Sequence, residues 1–475
     1  MFSEMLRSRQ LMLFLLSLAF PLTGFFTLYA RNDDTPHAFP IDGTLVRFGF
    51  PFYAPCDCQE YVTIAENLIR HGAYSRSFDE PFEPDGFRTP GYPLFLAAVK
   101  LLFGSYLAVS LMQILLVAAT SVLIFKIGEK LMPSWLAFSA GLLYSLDPVV
   151  AENAVLVMSD VLFVFLLVLC VYVLYFTGFA HRFRTVAFAG MILGYAILIR
   201  SVGIFLPFAL IVVYILAARL RKDVPPARLA MLAAVFLVSA VVMVAPWVLR
   251  NKREFGVYGI SPVGAYNLLF WDVGSYVAAK RGITRVDFHY EVMKREGIAD
   301  TYSFRYAERM QDLAVRYIRE DPWGFAKFRL ANTVRFFFAS SIRNSFLDEL
   351  RVFQPRSRQN PDVFGAFRSG RWRDFLDIAQ ATPFPSAERM GRLLFVLLAV
   401  FAIVRSRAFT LRILVLFWLM ILYFPLLAGS SAVIGGRYRL PVEPFLFLSA
   451  LYGLWELKKG IWSRKAISAS AGHGC

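Results

Sequence analysis

Long uninterrupted apolar stretches set the limits on this chain. Residues 11–30, 107–125, 161–178, 229–249 and 413–427 carry no charge at all. Each approaches or exceeds the roughly 18 residues that cross a bilayer as a helix. No alternating pattern of the kind that builds a membrane barrel is present, so helices are the structure such a chain can adopt in lipid. Of the 475 residues, 57% are hydrophobic and 18% charged, too greasy for a soluble protein of this length. The formal charge is +16. In a soluble domain that excess would suggest nucleic acid. Here it lies largely in short loops such as RLRKD at 219–223, where it orients the spans and meets anionic lipid. No basic stripe interleaved with aromatic residues is found, which sets nucleic acid aside.

The cysteines, Cys56, Cys58, Cys170 and Cys475, are scattered, and the one-residue gap between the first two suits neither an easy disulfide nor a zinc knuckle. His37, His71, His181, His289 and His473 are far apart, so no Cys/His metal site can be argued.

In chain order, Arg7 and Arg9 precede the first apolar run. A signal peptide is the rival reading, but Leu28 ahead of Ala30 makes a poor cleavage site, and a retained span is expected. Residues 31–105 form a first external segment. Within it Tyr61, Ile64, Ala65 and Leu68 repeat at helical spacing, which predicts a helix lying in the interface. Pro90 and Pro93 are expected to break any helix begun at Arg88, with Gly91 supplying a turn. Spans are then expected over 107–125, 135–150 (interrupted late by Asp147-Pro148), 161–178, 186–199, 204–218 and 229–249. Residues 250–388 read as a long external segment in which Asp321-Pro322 starts an interfacial helix, as N-cap followed by proline at the first helical position. Spans resume at 393–404, 413–427 and 445–457. The expected fold is an all-α polytopic membrane protein with about ten spans. Its parts are an N-terminal transmembrane module (1–249), the external segment (250–388) and C-terminal helices with a short cytoplasmic tail (389–475). Most basic loops fall on the inner side. The exceptions are Arg200, Arg437 and the cluster Arg250, Lys252 and Arg253.

The outward boundary gathers the chemistry. Acidic candidates are Asp57, Glu60, Asp147, Glu152 and Asp160; basic candidates are Arg88, Arg200, Arg250, Arg437 and Arg439. Asp160 opens the apolar stretch DVLFVFLLVL, where an ionisable group is costly. It has two readings: cap of the helix that follows, or member of a site. Arginines beside carboxylates at a lipid surface suit one task. They can hold a lipid phosphate while a carboxylate takes a proton from an incoming hydroxyl, and they can stabilise the phosphate as it leaves. The 47 phenylalanines fit an apolar groove for a prenyl chain, and equally fit ordinary membrane packing.

Read together, EYVTIAENLIRHGAYS, FRTPGYPLFLA, SDVLFVF, LIRSVGIFLPF, APWVLRNKREFGVY and GRYRLPVEPFLFL resemble the GT-C integral-membrane glycosyltransferases. The branch they look most like is the bacterial aminoarabinose transferase and protein O-mannosyltransferase group. The resemblance implies a GT-C fold in the bacterial inner membrane, with the site facing the periplasm. It implies inverting transfer of a monosaccharide from a polyprenyl-phosphate donor to a lipid or glycan acceptor, or to a protein hydroxyl. It assigns Asp57 as catalytic carboxylate and Asp160 as the second acidic position. Arg88, Arg250, Arg437 and Arg439 become donor-phosphate contacts, and Tyr61, Glu60 and Tyr438 substrate contacts. Many relatives have an Asp-Glu pair in the first loop, whereas Asp57 here is followed by Cys58 and Gln59. That departure weakens the case for a metal: no cofactor is required, and a divalent cation stays an option. Some relatives also carry a folded C-terminal external domain, and the short tail after Leu457 predicts none here. The alternative is a transporter or flippase for a lipid-linked glycan, which calls for charges along mid-span and internal repeats.

Overall fold

The computed structural model describes residues 2–30, 38–41, 44–47, 57–177, 181–221, 224–338, 383–406, 408–428 and 436–471. Cys56, Cys475, His37, His473, Gly178, Lys222 and positions 339–382 of the external segment lie outside the described residues.

Among the described residues the regular structure is helical apart from one small hairpin. Helix α1 (Phe2–Ala30) is followed by strands β1 (Ala38–Ile41) and β2 (Thr44–Arg47), paired antiparallel with Ala38 opposite Arg47. Then come α2 (Asp57–His71), α3 (Gly91–Phe103) and α4 (Leu107–Gly128). Helices α5 (Ser134–Leu146) and α6 (Pro148–Val155) form a pair bent by 55°. Helix α7 (Asp160–Val171) runs on into a π-turn, Tyr172–Phe176. It is followed by α8 (Phe183–Ile199), α9 (Leu206–Arg221) and α10 (Pro226–Phe255). A group of shorter, more polar helices contains α11 (Val263–Tyr266), α12 (Gly274–Arg281), α13 (Arg285–Glu296), α14 (Ala307–Glu320) and α15 (Pro322–Phe338). The chain closes with α16 (Pro383–Arg405), α17 (Ala408–Ala428), a 3₁₀ turn at Gly436–Arg439, and α18 (Glu443–Ala471).

The ten apolar runs expected to span are helical where described, apart from Asp147 and Thr177. Five helices among the described residues are long and apolar enough to cross a membrane alone, or six if the bent pair counts as one. The segments 160–176 and 183–199 are shorter apolar helices. The run 135–150 is interrupted at Asp147-Pro148 as expected: Pro148 cannot continue α5, so Asp147 caps α6, accepting from the Val149 N–H at 2.9 Å. One expectation needs correction. No helix begins at Arg88, but Gly91 opens α3 rather than a turn, and Pro90 and Pro93 do not stop that helix. They sit at the cap and in the first turn of α3, where a missing N–H costs no helical bond.

Close helix crossings are made at glycine. A Cβ on Gly194 would lie 2.7 Å from the Ala240 carbonyl oxygen on α10, and one on Gly453 would overlap the Leu398 carbonyl on α16. The largest apolar core joins the membrane helices to α2, whose Cys58, Tyr61, Val62 and Ala65 all enter it. Helix α2 therefore packs on α3 through a buried face, and Glu66 and Asn67 are buried with partners. Glu66 accepts from the Tyr106 hydroxyl at 2.9 Å. Asn67 donates to the carbonyls of Ser75 and Ser77. A second, separate core, built on Leu269, Phe270, Phe288, Val292, Met310 and Leu313, holds the group α11–α14 together. Asp321 caps α15 as expected, accepting from the Gly324 N–H at 2.9 Å.

Candidate active site

Three elements far apart in sequence meet at one end of the bundle. Asp57 is the first residue of α2, where the helix N-terminus favours a carboxylate. The polar loop 72–90 returns to it and presents Arg88 just before α3. Arg88 donates to Asp57 Oδ1 from Nη2 at 2.5 Å and to Glu60 Oε2 from Nε at 2.5 Å. Its guanidinium lies 4.9 Å from the centre of the Tyr61 ring. The loop is fixed behind it: Asp85 accepts from the Arg88 backbone N–H at 2.9 Å, and Tyr74 donates to the Arg88 carbonyl at 2.9 Å.

From the far end of the chain, the 3₁₀ turn delivers Arg437. This side chain joins the two acidic positions. Nη1 donates to Asp57 Oδ2 at 2.7 Å, and Nε donates to Asp160 Oδ2 at 2.8 Å. The other oxygen of Asp160 accepts from Arg200, at the end of α8. Asp160 is 2% exposed and is therefore fully committed to these arginines. Ser159, at the cap position of α7, makes no side-chain cap bond. Its hydroxyl lies 3.3 Å from the Tyr61 hydroxyl.

These contacts make a single line of alternating charge. Asp85, Arg76, Glu60, Arg88, Asp57, Arg437, Asp160 and Arg200 are each paired with the next. Burial pushes the Asp57 carboxyl up, but Arg88 and Arg437 more than offset it and hold it well below the usual carboxylate range. Opposite charges at this spacing in a partly dry site are strongly coupled. Removing one member leaves its neighbours uncompensated, at a cost of about 3–5 kcal/mol where the group is buried.

Residues 87–248 match the family model described as dolichyl-phosphate-mannose-protein mannosyltransferase. No curated protein sequence matches the chain. Among solved structures, the chain is similar to the archaeal oligosaccharyltransferase AglB from Archaeoglobus fulgidus in complex with an inhibitory peptide and a dolichol-phosphate. The TM-score is 0.52 at 12% identity, over 98% of this chain and 52% of that one. The apo form of the Archaeoglobus fulgidus oligosaccharyltransferase gives a TM-score of 0.50 at 13% identity, over 97% of this chain and 52% of that one. The chain thus spans about half the length of the structures it matches. It shares the fold of the membrane half of these structures.

In this chain Asp57, Glu60, Tyr61, Arg88, Asp160 and Arg437 share one constellation. Tyr438 borders it, with the Arg200 guanidinium 5.9 Å from its ring centre. Two residues expected there are placed elsewhere. Arg250 donates to the Asp85 carbonyl at 2.6 Å and lies over Trp247, so it braces the loop rather than reaching Asp57 or Asp160. Arg439 turns into a buried cluster, where it donates to Glu443 at 3.3 Å and to the Phe336 carbonyl at 3.3 Å. The cluster is completed by Arg392, which pairs with Glu443, Asp147 and Glu388. Arg76 and Ser159 were not picked out by sequence. Arg76 sits in a loop of mixed charge with nothing to set it apart, and Ser159 reads as a helix cap. Among the described residues, no three His, Cys, Asp or Glu side chains cluster as a metal site.

Proposed function

We propose that the chain transfers a monosaccharide from a polyprenyl-phosphate donor to a hydroxyl of a cell-envelope acceptor on the external face of the membrane, with inversion. The observation that carries this reading is Asp57 set between Arg88 and Arg437, with Asp160 tied to the same Arg437. The lipid-phosphate donor is supported by the family description, which names a dolichyl-phosphate sugar, and by the AglB complex, which holds a dolichol-phosphate.

The chemistry follows from the pairings. The acceptor oxygen attacks the anomeric carbon from the face opposite the phosphate. The bond from that carbon to the phosphate oxygen breaks, and the electron pair leaves with the phosphate. The acceptor proton passes to Asp57. Between two guanidiniums Asp57 is ionised but weakly basic. A donor phosphate that draws Arg88 and Arg437 toward itself would relieve that restraint and raise the basicity of Asp57 when a base is needed. The same arginines then meet the growing charge on the leaving group. Asp160 keeps Arg437 in place between the two. The test is transfer from a purified prenyl-phosphate sugar by the full chain. Asp57→Asn is expected to lower kcat by about a hundredfold or more, the scale of a lost general base. Full transfer by that variant would remove Asp57 from the mechanism.

A further inference from the structure

Asp57 and Asp160 stand on different helices, yet each directs one oxygen at the same point. Two converging carboxylates are a common way to hold a divalent cation. Here the point is filled by a guanidinium: Arg437 Nη1 is 2.7 Å from one oxygen and Nε 2.8 Å from the other. The outer oxygens are taken as well, by Arg88 and Arg200. We propose that Arg437 is the built-in cation of this site, standing where a divalent metal would sit, and that the site works without one.

Electrostatics supports this. Every oxygen of the two carboxylates already accepts from a guanidinium, so their charge is matched before any metal arrives. A divalent ion would have to enter a neutral, partly dry place beside these guanidiniums and displace hydrogen bonds made by charged groups. Arg437 can supply much of what the metal would. It fixes the two carboxylates relative to each other, stays charged at any working pH, and presents planar donors to a phosphate. Nor is it a loose surface side chain. Its turn is clamped from behind by Arg439, which is 3% exposed and bound to Glu443 and the Phe336 carbonyl.

The claim about turnover rests on the glycosyl-transfer reading above. The claim about metal binding does not, and the experiment separates them. Full-length protein in detergent is titrated with Mn²⁺ and followed by electron paramagnetic resonance, with no sugar donor present. Wild type is expected to show no bound Mn²⁺ that depends on Asp57 or Asp160. Arg437→Ala is expected to gain one such Mn²⁺ and to lose it again on adding Asp160→Asn. Transfer by wild type should be unchanged by EDTA. Loss of Arg437 should lower transfer by about a hundredfold or more, as expected for one preorganised donor. A stoichiometric Mn²⁺ in wild type that disappears in Asp160→Asn would overturn the proposal. So would EDTA inactivation reversed by Mn²⁺, or a folded Arg437→Ala that binds no Mn²⁺. If Arg437→Ala does not fold, the wild-type titration still decides.

Discussion

Asp57 combines two properties that usually conflict: in the proposed reaction it is the base, yet it is held ionised far into acid by Arg88 and Arg437. Its pKa is lower in the folded chain than in the unfolded one, so its contribution to stability is complete above the unfolded value of about 3.9 and is lost as pH falls below it toward the folded value. The same sign fixes an expectation for activity. The pH profile of kcat/KM should show no acid limb from Asp57 in the range where ordinary carboxylates titrate, and an acid limb that Asp57→Asn abolishes would contradict the described pairing. Arg88 gives a second test. Its planar fork serves Glu60 from Nε and Asp57 from Nη2, two separately placed nitrogens where a lysine offers one. Arg88→Lys keeps the charge but gives up at least one charge-assisted hydrogen bond, worth about 1.5–3 kcal/mol. Transfer assays should therefore show a loss of about ten- to a hundredfold.

Among the helices, the apolar runs were readable because length and hydropathy alone force a helix in lipid. The 55° break between α5 and α6 was half readable: the Asp147-Pro148 pair was visible, but whether a helix kinks or restarts depends on what its neighbours offer the freed groups. Helix α3 was misjudged because a proline ends a helix behind it and starts one ahead of it with equal ease. Helix α2 was expected in the interface. Its polar Glu66 and Asn67 mask a buried face, since their partners Tyr106, Ser75 and Ser77 come from later in the chain. The glycine crossings carry their own prediction. Gly453→Ala would press a methyl group into the Leu398 backbone of α16. It should cost about 1–3 kcal/mol as an overpacking change, seen as a lower melting temperature in detergent.

Across the whole molecule, the site is assembled from parts separated by 380 residues, Asp57 and Arg437. The residue types were readable from sequence; their pairing was not. GRYR shows why. Arg437 and Arg439 are two apart on a turn of about three residues, so they leave it in different directions, and nothing in the tetrapeptide says which one meets Asp57. Orientation in the membrane is a matter for experiment at this scale. Basic ends lie together, with Lys126 over Tyr172 and Lys458 over Trp135, while the candidate site lies at the opposite ends of the same helices. In a cysteine-free background, a cysteine at exposed Tyr290 should react with an impermeant maleimide on intact cells, and one at Lys458 only after permeabilisation. The reverse pattern would place the site inside the cell.

The line of alternating charge from Asp85 to Arg200 contains carboxylates and guanidiniums in equal number, so it is electrically neutral at rest. In the proposed reaction Asp57 gives up its negative charge on taking the acceptor proton, while the phosphate gains one on leaving. The total is therefore the same before and after. What moves is a single negative charge, over a short distance past Arg88 and Arg437, with no counterion called in from solution. Turnover in such a site is set by displacement of charge within a neutral frame and not by recruitment of ions to it.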